Sequence, residues 1–498
     1  MSKSQDARPD ILRMKPMSYV SGQEIESDVL RPVVFSSDNL FARFELQPKG
    51  HLSSSSSISF SLKPNAGVER AFVPPNIGIH SLIDRAVLRT SSGRVICDQE
   101  EFGHFSSLKS MLKDNDIQTQ REQFLSGRDM DYELHYGSNV GALYYGLSNG
   151  REYTQSNILH ADDKSSQGKA SVNGLGHHNF QYITTQDSRT TLSPSYSIVL
   201  HDLFPFLKSG NRLPLFMFES DRIQIELYFT APKQQRVCVT QKLNGAALEE
   251  TLNQEFLIDQ NSVELISDHI FYPTQSLAQM KDAEPSEMPY FDYQLSRQTI
   301  TSDSADATKD TAKTNTRNVG GASRVITRVF SAYVPTGNQE TTILNKYKAL
   351  AMTPTAKQSG ELDSNLFFNE RFLYPLNIKN NARHFFNLYD TDKRHYHTSR
   401  EVYSNSGTAL MGAGSTDYQY EGRVQSTNLA GSQFWQGFRL NVGERIGTKG
   451  IDIHMNARGV NGDGSGLPDG SYTQYVYLET MRTLTMDKNT GQIEVLFS

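Results

Sequence analysis

The side chains best suited to chemistry lie in two stretches. Asp390, Asp392, His395 and His397 bring two carboxylates and two imidazoles within eight residues, the donor types that borderline cations such as zinc accept. On an extended strand His395 and His397 would share a face. A metal centre also needs partners that orient its ligands, and a polar loop at a contact between subunits accounts for the same residues without a metal. The second stretch, His177 and His178 with His160 and His201, matches no zinc spacing and reads as exposed loop histidines. Asn461-Gly-Asp-Gly-Ser-Gly466 begins like a calcium loop, but Tyr472 stands where the bidentate glutamate belongs. Neither Gly412 and Gly414 nor Gly320 and Gly321 lead into Lys-Ser/Thr, and no Gly-x-Ser-x-Gly or His-Glu-x-x-His occurs. The expectation is therefore no enzyme: no catalytic residue, no cofactor and no metal ligand.

The elements that would position these residues are strands. Phe41-Ala-Arg-Phe-Glu-Leu46 and Ile58-Ser-Phe-Ser-Leu62 alternate apolar and polar residues about the turn Pro48-Lys-Gly50, as half-buried strands do. The serine run 53–57 enters the second of them directly and reads as an edge or barrel-rim segment. Residues 81–89 and 94–97, joined by Ser91-Ser-Gly93, form a hairpin pattern. Further strands are expected at 196–200, 215–218, 222–229, 263–272, 325–334, 434–440, 451–455, 473–478 and 492–497, with one short helix at 105–112. Residues 301–321, rich in Thr, Asp, Ala and Lys, read as an exposed loop. Strands spaced by turns and long loops without βα alternation indicate an all-β protein of two tandem eight-stranded jelly rolls. The divisions expected are an extended arm at 1–25, a first roll at 26–245, a linker at 246–254 and a second roll at 255–498, each roll closing on an alternating strand, Ile223 to Phe229 and Ile493 to Phe497.

The chain of 498 residues is long enough for two cores. Its net charge of −6 gives no footprint for coating nucleic acid. Cys97 and Cys238 do not make a disulfide framework and read as two free, buried thiols. No segment approaches the ~20 apolar residues of a membrane span, the first residues are too polar for a signal peptide, and no Asn-x-Ser/Thr sequon occurs. The arm carries Lys3, Arg8, Arg13 and Lys15, interrupted by Pro9 and Pro16, and is expected to order only on docking.

Three segments carry a family resemblance: Pro74-Pro-Asn-Ile-Gly-Ile-His-Ser-Leu-Ile-Asp-Arg85, Gly210-Asn-Arg-Leu-Pro-Leu-Phe216 with the strand that follows, and the carboxy-terminal stretch from Tyr475 to Phe497. The chain resembles the double jelly-roll major capsid proteins of virophages and polinton-like viruses, over nearly its whole length. That resemblance implies a homotrimer forming a pseudo-hexagonal capsomer of an icosahedral shell, with penton and minor capsid proteins as partners and the virion, assembled inside a host cell, as location. It implies no sequence-specific nucleic-acid binding. The competing readings are a carbohydrate-active β-sandwich, which would need paired carboxylates in a sugar-sized cleft, and a lectin-like module stacking ligands on Trp435. Within Phe434-Trp-Gln-Gly-Phe438, Trp435 reads instead as core or interface packing.

Overall fold

The structure is a computed structural model. It describes residues 24–36, 40–64, 70–72, 78–111, 125–126, 195–208, 213–230, 239–244, 247–251, 256–271, 281, 287–302, 313–336, 362–378, 381–391, 435–440, 444–457, 470–487 and 493–497.

The second half shows its plan most fully. Its strands in chain order are β16 (Glu287–Ser302), β17 (Lys313–Gly320), β18 (Ile326–Pro335), β19 (Leu362–Phe368), β20 (Arg371–Phe372), β21 (Trp435–Arg439), β22 (Ile451–Ala457) and β23 (Gly470–Met486). The first pairs with the eighth, the second with the seventh, the third with the sixth and the fourth with the fifth, all antiparallel. Cross-pairings of the third with the eighth and the fourth with the seventh roll this long hairpin into two sheets, β16-β23-β18-β21 and β17-β22-β19-β20. That is a jelly roll. Its interior holds Ile326, Val329, Leu366, Phe438, Ile451, Ile453, Val476 and Leu478, supplied by both sheets.

The first half repeats the plan in part. Strands β3 (Phe41–Glu45), β5 (Ser57–Pro64), β7 (Ile83–Thr90), β9 (Ser195–Val199) and β11 (Ile223–Phe229) pair as first with eighth, second with seventh and third with eighth. Around them lie β1 (Glu24–Leu30), β2 (Val34–Phe35), β4 (His51–Leu52), β6 (Arg70–Phe72), β8 (Val95–Glu100), β10 (Leu213–Pro214), β12 (Val239–Asn244), β13 (Ala247–Thr251), β14 (Phe256–Ile258) and β15 (Glu264–Phe271). The sheets are seven-stranded, centred on β5 and β15, five-stranded, β2-β3-β11-β7-β8, and three-stranded, β13-β12-β6. Phe44, Leu88 and Ile225 face Phe60, Tyr196 and Leu265 across a buried core. The helices among the described residues include α1 (Phe102–Met111), the short turns α2 (Leu200–Leu203) and α3 (Pro205–Lys208), and α4 (Asn381–Thr391).

Several expectations are corrected. The second half was expected to begin at 255, yet β14 pairs with β5 and β15 pairs with β1, β4 and β5, so both strands complete a sheet of the first roll. The expected linker 246–254 contains β13, which is hydrogen-bonded to β12. Residues 215–218 are not a strand: Leu215–Met217 is a buried 3₁₀ turn following Pro214. The polar run 301–321 is not simply a loop, because β16 extends to Ser302 and Lys313–Gly320 is β17. Among its described side chains, 316–320, β17 buries Val319, and its ladder to β22 satisfies the backbone. Finally, the closing strand of the second roll is β23, not residues 493–497, which form β24 (Ile493–Phe497), a short addition to the end of β23. The helix expected at 105–112 begins earlier, at Phe102.

On the outer face of β21, α4 packs with Leu388 fully buried. Gly437 permits this, since a Cβ there would lie 2.8 Å from the Leu388 Cα. Gly437→Ala is expected to cost about 1–3 kcal/mol by overpacking, read as a lower urea midpoint and faster amide exchange in α4. An unchanged midpoint would mean that α4 is not held at this point.

Candidate functional site: the junction between the two rolls

The sheet β16-β23-β18-β21 is buried on both faces. Val476 and Leu478 of β23 point into the second roll, while Tyr475 and Tyr477 join the cluster that continues into the first roll. The opposing surface comes from β8, α1 and α3. Tyr290 donates from its hydroxyl to the Ile96 carbonyl at 2.7 Å, and Phe206 of α3 meets the same ring edge-on at 4.9 Å. Phe105 of α1 packs 4.9 Å from Tyr293 and 5.5 Å from Tyr477. His104 stacks on Tyr475 at 4.0 Å, and Tyr477 donates to the Glu101 carbonyl at 3.2 Å. Arg297 and Glu101 form an ion pair at the exposed rim.

A charged cluster lies inside this joint. Met288, Tyr290 and Asp292 alternate along β16, so the carboxylate takes an inward position that an apolar side chain would ordinarily fill. Register places Tyr290 opposite Arg482 and Asp292 opposite Thr480, which sets Arg482 diagonally beside Asp292. Gln99 of the first roll donates to Asp292 Oδ1 at 2.7 Å, and Arg482 Nη1 lies 2.8 Å from Oδ2. The latter contact is close but not aligned as a hydrogen bond, and neither Oδ2 nor Arg482 Nε has an aligned partner. The ring of Phe497, at the end of β24, has the guanidinium groups of Arg324 and Arg482 each 4.8 Å from its centre. Burial lifts the Asp292 carboxyl to about 7 against the pull of Arg482, the Tyr293 backbone and Gln99, and pushes the Cys97 thiol and the Tyr290 hydroxyl up as well. Next to it Glu479 accepts from Thr327 at 2.6 Å and pairs with Arg328 at 3.1 Å. These groups face one another in a closed contact, and the thiol is held in its unreactive form. The arrangement is chemically a joint.

Most of the residues singled out from sequence lie outside the described residues. Asp390 sits in the last turn of α4, while Asp392, His395 and His397 lie outside the described residues. Among the described residues there is no group of three or more His, Cys, Asp or Glu that could hold a metal ion. His201 is not an exposed loop histidine: it lies in α2, half-buried, with Nδ1 3.0 Å from the Ser54 carbonyl. His160, His177, His178, residues 458–469 and Cys238 lie outside the described residues. Cys97 is a free, buried thiol. Trp435 is 1% exposed, in contact range of Tyr477, as core packing requires. Sequence reasoning passed over Asp292 and Arg482, because neither residue falls in an expected strand and nothing local marks its charge as buried.

Neither a family model nor a curated protein matches the chain. Solved structures do. The Sputnik virophage structure is similar at 11% identity and a TM-score of 0.48, with 100% of this chain and 93% of that chain covered. The mavirus major capsid protein stands at 11% and 0.48, covering 100% and 96%. The Faustovirus major capsid protein stands at 10% and 0.46, covering 96% and 92%.

Proposed function

We propose that this chain is the major capsid protein of an icosahedral virus of the virophage or polinton-like type, and that its activity is assembly rather than catalysis. The observation that carries this reading is the pairing plan: one roll in which all eight strands pair as a folded-over hairpin, a neighbour that repeats part of that plan, and a buried joint fixing the two together. Three such chains would present six rolls around one axis, a near-hexagonal tile. The passage between the rolls then lies within residues 272–286, after β15 and before β16. Side chains that suit contacts between chains are the exposed Val29, Val33 and Val34 near β1 and β2, and Phe372, Leu376 and Phe386 on the second roll. Penton and minor capsid proteins are the expected further partners, and the virion is the location. The basic arm would tie capsomers to their neighbours.

Native mass measurement and electron microscopy of the purified full chain test this. The expected result is a stable trimer that forms towers or closed shells, and removal of residues 2–20 should leave trimers intact while impairing shell closure. A monomer that binds glycans would overturn the reading in favour of a carbohydrate-binding sandwich. Truncated protein that forms shells at full yield, or that fails to trimerise, would overturn the part assigned to the arm.

A further inference from the structure

We propose that Asp292 is a proton-operated clasp between the two rolls, protonated and tight on acidification, ionised and looser once the pH has risen to neutral. The clasp does not depend on the capsid reading.

Its geometry is that of a group whose protonation belongs to the joint rather than to either roll. Asp292 comes from the second roll and is 0% exposed, and its Oδ1 is held by Gln99 of the first. Were the rolls to part, the carboxyl would face water and return to an ordinary carboxylate. Inside the joint Oδ2 has no aligned donor although Arg482 is close, so the ionised form is only partly satisfied and burial works against it. The charged and titratable groups around it are few. From β8 come the Cys97 thiol and Asp98, the latter engaged by Arg85 of β7. From β16 comes Tyr290, from β23 Arg482, and from the turn before β18 Arg324. Asp98 adds a like charge that favours the proton, whereas Arg482 disfavours it. With burial leading, the carboxyl rests at about 7, well above its ordinary value of 3.8.

The sign follows from linkage. A carboxyl whose value is raised in the joined state binds its proton more tightly there than when the rolls separate or unfold. Its contribution is fully present below the ordinary carboxylate value and is lost as pH rises through about 7. Between those two values the population of the opened joint grows by up to about tenfold per pH unit, and above about 7 it levels off.

The test compares full-length wild type with Asp292→Asn and Gln99→Leu. Amide exchange in β8 and α1 is followed from pH 5 to pH 9, corrected for intrinsic exchange, together with the infrared absorption of protonated carboxyl groups. The wild type should show opening that rises from pH 5 and levels off above about pH 7, and a protonated-carboxyl band that disappears where the rise ends. Asp292→Asn should lose both the band and the pH-dependent part of the opening. Gln99→Leu, which removes a donor to the ionised form, should move the transition to higher pH and keeps the question answerable if the first variant fails to fold. A wild-type profile flat from pH 5 to pH 7 would overturn the proposal, as would a transition that Gln99→Leu leaves unmoved.

Discussion

Arg482→Met is expected to destabilise the full chain by about 3–5 kcal/mol at pH 8, because removing one partner of a buried pair leaves the other charge uncompensated. Arg482 has only 11% of its side chain exposed, and Asp292 has none. The substitution also removes one of the two guanidinium groups flanking Phe497, so β24 should loosen with it. The loss should shrink toward pH 5, where Asp292 takes up a proton and no longer needs a counter-charge. Urea unfolding at the two pH values checks this. The double variant Arg482→Met with Asp292→Leu should recover most of the loss, since an apolar pair of similar volume is often neutral or stabilising relative to a buried ion pair. A double variant as unstable as the single one would show that the cost lies in packing around Arg482 rather than in the orphaned carboxylate.

Trp435→Ala should cost about 3–5 kcal/mol, the range for truncating a large aromatic in a core that relaxes only in part. Trp435 is among the largest fully buried side chains, and it lies on the face of β21 to which α4 is docked. The void would therefore open beneath the helix. Amide exchange should rise first in α4 and in the third–sixth pairing of β18 with β21, while the first roll's sheets keep their protection. If the loss stayed below about 1 kcal/mol, the indole would have to be a surface group, and the lectin-like reading, in which it stacks on a ligand, would regain its platform.

Much of the fold was legible because one physical rule governs it: a strand buried on one face alternates. Phe41–Glu45 and residues 57–61 of β5 show that pattern, and both follow from it in the sequence. The misreadings fall where the rule does not apply. β16 escaped notice because apolar and polar residues occupy both of its faces, and Pro289 argues against a central strand; the proline is tolerated because β16 is the edge of its sheet. β17 read as loop because its burial is slight and its stability comes from the ladder. β15 was assigned to the wrong half because alternation says that a residue is buried, not against what.

Composition and alternation in the sequence alone determined that this is an all-β chain of two sandwiches without a recognisable catalytic motif, since those features depend on residue type and period. Which strands pair, where one roll ends, and that the outer face of the second roll is itself a core were decided only by tertiary structure. Asp292 is the clearest instance. In Tyr290-Phe-Asp-Tyr293 it reads as a polar interruption of a hydrophobic run. Only the approach of β8, more than 190 positions away in the chain, removes its water, gives it Gln99, and turns an ordinary carboxylate into one that titrates near neutral pH.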